Sequence, residues 1–307
     1  MNFERIIVTG DTKRCTIEQT RYIKELYFKI RGFIYLKTGR YPDLMFTENR
    51  CKNNEEWLRL YDFERAAHAY PTPWVVDELG AFEPFEERKK TLIISKELPF
   101  VDKAVLEFIG YSFIDIIDYP FRISKVYGVH TNIKKKCFRK LSSNYFFLQA
   151  DLKRAEYALK RRIDIPKNTA LICGQIPVDR SLITKEAKIA KLKDYEKEIK
   201  DIVSKHDMTI FKPHPDDWER VENTDYMLGL KCIPFTKERF GNYDIYDLLS
   251  EPNIKKVFSI SSSVSHEAQY FEKEAFRFDN TYNFYLKNYF PIRKEDLLSS
   301  RFWKVYL

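Results

Sequence analysis

Between Ala170 and Ala268 the chain reads three times as a short apolar run, then a polar loop, then a stretch suited to a helix. The runs are Ala170–Cys173, Met208–Phe211 and Lys256–Ile260. Their loops are Gly174-Gln175-Ile176-Pro177-Val178-Asp179, Lys212-Pro213-His214-Pro215 and Ser261-Ser262-Ser263. Apolar runs this short, alternating with helical stretches, predict an α/β fold in which parallel strands are covered on both faces. In such sheets ligands gather beyond the carboxyl ends of strands, so the residues that leave each strand are the first candidates for a site.

The first half carries the same alternation. Strands are expected at Ile6–Thr9, Leu44–Phe46, Trp74–Val76, Thr91–Ile94 and Phe113–Ile117, with helices around 16–30, 54–70 and 102–108. Residues 119–140 are less regular, and 138–162 form a basic, aromatic and mostly helical stretch. The turn-rich Asp164-Ile165-Pro166-Lys167-Asn168 marks a boundary. It separates an N-terminal domain, 1–165, from a C-terminal one, 166–295, with 296–307 an amphipathic segment packing back on the first. In the second half the firmest pattern is a long helix, Lys185–His206, with Ile189, Leu192, Tyr195, Ile199, Ile202 and Val203 on one face behind a Thr184 cap. Further strands are expected at Leu230–Ile233 and Ala275–Phe278, and helices at Tyr243–Leu249 and Val264–Phe271.

Composition narrows the function classes. At 44% hydrophobic and 16% aromatic residues the chain is not a disordered one. Fifty-three Lys and Arg against 45 Asp and Glu leave a formal +8, which suits an anionic partner, or else lysine-rich solvated faces. Five scattered cysteines without a C-x-x-C pair suit a reducing compartment and argue against structural zinc. The opening MNFERIIVTGD enters a strand-like run at once, and no run approaches the length of a membrane span. The expected location is the cytoplasm, with a basic face able to touch the inner membrane. There is no P-loop, no G-x-G-x-x-G, no D-x-D and no H-x-x-x-H, so no cofactor and no metal are expected.

Four strand-end loops carry the candidate chemistry. In Lys212-Pro213-His214-Pro215 two prolines restrict the path, so His214 could donate to a phosphate and Lys212 add charge; the alternative is a proline turn with a surface histidine. Ser261, Ser262 and Ser263 open a helix, as an anion cradle or as N-caps, with Glu267 taken to lie in that helix's first turn, on a ribose or on the dipole. Gly174 lets the backbone approach a ligand and presents Asp179, which is either a nucleophile or base, or a turn residue. Asp77-Glu78-Leu79-Gly80 ends a strand of the first half, as an acid/base pair or as an exposed acidic turn.

Together these loops resemble the motifs of bacterial glycosyltransferases that use CMP-activated acidic sugars. Lys212-Pro213-His214-Pro215-Asp216 and Ser261–Ala268 are similar to the histidine-proline and serine motifs of sialyltransferases and Kdo transferases. Gly174–Asp179 resembles the glutamine-x-x-x-aspartate element of capsule-type β-Kdo transferases, and Asp77–Gly80 the E-x-G of their first half. The resemblance implies a GT-B-like fold, two Rossmann-type lobes with parallel sheets facing a central cleft, the first on the acceptor side and the second binding the nucleotide sugar. It implies transfer of Kdo or sialic acid from a CMP-sugar, without metal, to a glycan or glycolipid acceptor of surface polysaccharide or lipooligosaccharide. His214, Pro215, Ser262 and Ser263 would hold phosphate and sugar carboxylate, and Gln175, Lys212, Ser261 and Glu267 would complete the substrate contacts.

For catalysis the resemblance leaves two assignments. In the Kdo version, favoured by Gln175 and Asp179, Asp179 is the nucleophile of a retaining reaction and Glu78 its acid/base partner; in the sialyltransferase version Asp77 is the base of an inverting one. The chain departs from both patterns, having Asp-Glu-Leu-Gly where sialyltransferases have two aspartates before the glycine, and Ala81 before Phe82 where Kdo transferases have an aromatic. A GT-B transferase using a UDP- or GDP-sugar is the first alternative. A non-enzymatic RNA binder, touching RNA through 138–162, is the second.

Overall fold

The computed structural model describes residues 3–10, 17–45, 85–98, 100–133, 138–160, 162–177, 179–182, 184, 188–279 and 288–307. The chain forms two compact units. One holds residues 1–119, 126–141 and 288–307, the other 120–125 and 142–287. Residues 142–165, expected with the first half, therefore lie in the second unit. The expected helix 54–70 and strand Trp74–Val76 lie outside the described residues.

The first unit is a six-stranded sheet in the order β11-β5-β4-β3-β1-β2. Its strands are β1 (Arg5–Gly10), β2 (Asp43–Leu44), β3 (Thr91–Lys96), β4 (Ser112–Asp118), β5 (Val126–Thr131) and β11 (Phe290–Arg293). Strands β2, β1, β3 and β4 are parallel, with Ile7 opposite Ile93 and Ile93 opposite Phe113. Strand β5 returns antiparallel to β4, and β11 antiparallel to β5, so this sheet is mixed where a parallel one was expected. The cause is local. Residues 119–125 are too few for a crossover helix, and a chain that returns so soon must pair antiparallel. Gly128 lets the return pass close, since a Cβ there would stand 2.8 Å from Cγ1 of Ile117.

Alternation along the strands sorts this core into two layers. Ile6, Val8, Leu92, Ile94, Ile114 and Ile116 point to one face, where helix Ile17–Thr38 lays Leu26, Ile30 and Ile34. Ile7, Ile93 and Phe113 point to the other, against Leu106 and Tyr111. Helix Ser300–Tyr306 brings Phe302, Trp303 and Tyr306 into the first layer, and Trp303 Nε1 donates to the carbonyl of Leu297 at 2.9 Å. On β4, inside the sheet, Asp115 is fully buried. It accepts from Ser95 Oγ at 2.7 Å and Leu98 N at 2.9 Å, and pairs with Lys103 at 3.0 Å.

The second unit is a wholly parallel sheet in the order β10-β9-β6-β7-β8. Its strands are β6 (Thr169–Cys173), β7 (Met208–Lys212), β8 (Ile233–Pro234), β9 (Ile254–Ser259) and β10 (Glu274–Arg277). Every residue of β6 is buried, as a central strand covered on both sides requires. The order reverses between β6 and β9, since the chain runs outward through β7 and β8 and then returns to the far side of β6.

The long helix expected over Lys185–His206 is not formed. The chain instead doubles back, with Ala190 N donating to the carbonyl of Leu182 and Thr184 N to that of Lys188, both at 2.8 Å. Helical winding begins only after Lys191, whose N–H is taken by the Asp194 carboxylate at 2.8 Å, through a 3₁₀ turn Leu192–Tyr195 into helix Glu196–Lys205. Ala190 and Leu192 are buried two apart, the period of extended chain, which the helical spacing of the other apolar residues had masked. Helix Arg220–Gly229, not anticipated, starts behind Asp217, whose carboxylate accepts from Glu219 N at 3.0 Å and Asn223 Nδ2 at 3.1 Å.

No helix among the described residues is long and apolar enough to cross a membrane. Trp303→Ala removes a fully buried indole and its hydrogen bond. The expected cost is about 3–5 kcal/mol, read as a lower urea midpoint in the transition that reports the first unit.

Candidate functional site

The carboxyl ends of β6, β7 and β9 lie side by side, with Cys173 in register with both Lys212 and Ser259. That register places the three predicted loops of the second unit along one edge. Gly174 N donates to the carbonyl of Lys212 at 2.9 Å. A Cβ at Gly174 would lie 3.2 Å from the Pro213 Cα and 3.3 Å from the His214 N, so only a glycine admits the two loops at this spacing without displacement.

Gln175 ties the β6 loop to the β9 loop where the strand order reverses. Its Oε1 accepts from Ser261 N at 2.7 Å, and its Nε2 donates to the hydroxyls of Ser181 at 3.0 Å and Ser261 at 3.1 Å. Ser261 Oγ in turn donates to the Ser181 carbonyl at 2.6 Å. Gln175 and Ser261, expected as substrate contacts, thus have their polar atoms committed to the scaffold. Ser262 is the N-cap of helix Ser263–Ala268, accepting from Val264 N at 3.3 Å, and its own N–H goes to Ser259 Oγ at 3.0 Å. Of the three serines, Ser263 alone has a hydroxyl without a protein partner among the described residues.

Glu267 is the fifth residue of that helix, not a first-turn residue, and it is 1% exposed. Its carboxylate accepts from Arg122 N, from Ile123 N at 3.3 Å and from Tyr246 OH at 3.2 Å. Burial outweighs these donors and pushes its pKa up to about 7. The side chain anchors residues 120–125, whose Phe121 is buried against Phe146 and Tyr270, and it is not presented to a ligand.

His214 is half-buried, and burial lowers its pKa against the raising influence of Asp216, Asp179 and Asp217. The backbone N–H of Asp216 donates to its Nδ1 at 3.1 Å. A neutral ring then carries its proton on Nε2, the nitrogen free to donate to an incoming oxygen. Pro215, next in the turn, is exposed. Asp179 is exposed as well, and its Oδ1 accepts from Ser181 N at 2.8 Å, which fixes the carboxylate while Oδ2 has no protein partner among the described residues. Asp77 and Glu78 lie outside the described residues.

Next to the His214 turn, on the β7–β8 side, a cavity of about 320 Å³ is lined by Lys212, Pro213, Arg220, Phe235, Lys237 and Tyr243. None of the three cations has a carboxylate partner among the described residues. The Lys212 ammonium lies 4.9 Å from the centre of the Phe235 ring, and burial, ahead of the nearby Arg220, lowers its pKa. Asp244 acts on Lys212 from beyond ion-pair distance, and the buried Phe235 ring has Phe240 stacked on it at 5.0 Å. A hollow with three cations and no ion pair among the described residues suits an anion. Sequence reasoning found only Lys212. Arg220, Phe235, Lys237 and Tyr243 belong to elements whose positions emerge from the β7–β8 pairing and the unanticipated helix at 220.

Removing the Glu267 carboxylate tests its role. Glu267→Ala strands two backbone donors and a tyrosine hydroxyl, at an expected cost of about 1–3 kcal/mol in urea unfolding. Because the folded pKa lies above the unfolded one, this group's contribution is fully present below the ordinary carboxylate value of 4.5 and is lost as pH rises through about 7. Glu267→Gln is expected to flatten that part of the stability–pH curve.

No protein-family model matches the chain, and no curated protein matches it. Among solved structures it is similar to the β-Kdo 2,7-transferase KpsC of Thermosulfurimonas dismutans, at 13% identity over 88% of this chain and 77% of that one, with a TM-score of 0.42. A likeness of that depth carries no weight for activity.

Proposed function

We propose that this chain is a glycosyltransferase that moves an acidic ulosonic sugar, Kdo or sialic acid, from a CMP-sugar to a glycan acceptor of bacterial surface polysaccharide or lipooligosaccharide. The observation that carries this reading is the cavity of Lys212, Arg220, Lys237, Phe235 and Tyr243 at the carboxyl edge of a parallel sheet, beside the His214 turn. A CMP-ulosonate carries one phosphodiester and one carboxylate charge, and the lining supplies three cations for them. His214, neutral with its proton on Nε2, donates to a phosphate oxygen without bringing a second desolvated charge into the site. The motif resemblance of Gly174–Asp179, Lys212–Asp216 and Ser261–Ala268 supports the same assignment.

In the retaining version Oδ2 of Asp179 attacks the anomeric carbon as the bond to the CMP phosphate breaks, giving a glycosyl ester and free CMP. The acceptor oxygen then displaces Asp179 while Glu78 takes its proton. In the inverting version Asp77 removes the acceptor proton in a single displacement and Asp179 is a turn residue. The three cations also suit a diphosphate, which keeps a UDP- or GDP-sugar as the second reading.

A thermal-shift panel with CMP, UDP and GDP separates the donors. CMP is expected to raise the melting midpoint most, and Lys212→Met, Arg220→Ala and Lys237→Ala each to weaken it roughly tenfold or more, the worth of one charged hydrogen bond. A larger response to UDP or GDP moves the assignment to the diphosphate donors. For the mechanism, Asp179→Ala is expected to lower turnover by roughly a thousandfold or more if it is the nucleophile. Near-normal turnover removes the retaining scheme and leaves Asp77 as the base.

A further inference from the structure

The basic runs of 153–162 are largely neutralised inside their own unit. Lys153 pairs with Glu156 at 2.6 Å, Arg154 with Asp151 and with Glu272 at 2.8 Å, and Lys160 with Asp247 at 2.6 Å. The outer face of helix Ile17–Thr38 in the first unit is different. Ile23, Leu26, Ile30 and Ile34 take its inner face into the core. The opposite face exposes Phe28 at 58%, Tyr35 at 44% and Leu36 at 80%, and Tyr41 just beyond the helix at 60%.

Between these apolar groups stand exposed Arg21, Lys24, Lys29 and Arg31, against the carboxylate of Glu25 among the described side chains of the helix. Glu25 is shared by Lys29 at 3.0 Å and Arg21 at 3.9 Å. Arg31 has no carboxylate partner among the described residues. Its guanidinium lies 4.8 Å from the centre of the Phe28 ring and 6.0 Å from that of Tyr41.

We propose that this face docks the protein on an anionic phospholipid surface. Cations interleaved with exposed aromatic and leucine side chains on one side of a helix match the boundary between headgroups and acyl chains, where rings and leucines enter the apolar side and Lys and Arg meet phosphates. Nucleic acid is the poorer fit. Tyr35 and Tyr41 stack on each other at 4.6 Å and Arg31 covers Phe28, so ring faces that a base would need are already used, while Leu36 offers a base nothing. The proposal stands on the first unit alone and does not depend on the sugar donor or on catalysis.

Flotation of the full chain with vesicles tests it, comparing phosphatidylcholine containing phosphatidylglycerol with phosphatidylcholine alone. The protein is expected to float with the anionic vesicles and to remain below with the neutral ones. Arg21→Glu with Arg31→Glu, and separately Phe28→Ser with Leu36→Ser, are each expected to lower partitioning about tenfold or more. All four positions are exposed, so circular dichroism and the melting midpoint should hold, and the paired reversal Lys200→Glu with Lys205→Glu on the second unit, equal in charge change to the arginine pair, serves as a control that leaves flotation intact. Absence of flotation, or flotation indifferent to both variant pairs, overturns the proposal. So does retention of single-stranded RNA at physiological salt that the same variants abolish, or a dimer in light scattering that they dissociate.

Discussion

One carboxamide, that of Gln175, spans the point in the second unit where the sheet changes direction. A side chain at this place must accept from the backbone of the β9 loop and donate to two hydroxyls at once, and an amide does both without a charge. A carboxylate would lack the donors and an aliphatic group would strand the Ser261 N–H in a buried position. With the β6 and β9 loops laced together and the β7 loop pressed against Gly174, the turn bearing His214 and the carboxylate of Asp179 are held by the scaffold before any ligand arrives. Preorganisation of this kind is what lets a few polar groups at a sheet edge act with useful strength.

Charge is distributed in a way that composition hides. The formal +8 is spread over a surface on which many lysines and arginines have local acidic partners. Exposed pairs of that sort add little to stability. The cations that matter are those left without partners. Lys212, Arg220 and Lys237 converge on one hollow, and Arg31 lies among exposed rings on another unit. A partly desolvated cation without an ion pair, as Lys212 is, carries a standing cost that Asp244 offsets only in part and an anionic ligand relieves.

The parallel core of each unit was legible because buried strands advertise themselves as short apolar runs, and β1, β3, β4, β6, β7 and β9 all fall where those runs predict. Strand β5 was hidden by Gly128 and by polar Thr131 and His130, and its antiparallel direction follows from a connection length that only the observed pairing reveals. The long helix failed because a 3.6-residue pattern can be drawn through residues that are buried for other reasons, and Asp194 starts the winding late. Among the site residues, the loops of the second unit were found by their place after strands. Sequence could not tell that Gln175, Ser261, Ser262 and Glu267 hold one another and their neighbours, since a hydrogen-bonding side chain looks the same whether its partner is a ligand or the fold. Asp217 ahead of the helix at 220 was the available signal for that helix, and with it Arg220 could have been placed at the strand edge.

The path of the chain has a consequence for how the molecule comes to be. The second unit is almost one continuous segment, 142–287, with residues 120–125 as its only outlying piece. The first is assembled from three, and both β11 and the helix carrying Trp303 come from 288–307. During synthesis the second unit can therefore collapse as soon as its own segment has emerged. The first must wait, with the inner face of helix Ile17–Thr38 and the edge of β5 uncovered, until residues 288–307 arrive. Residues 1–119 are made before the second unit and completed after it, and they are the part a chaperone would have to shield.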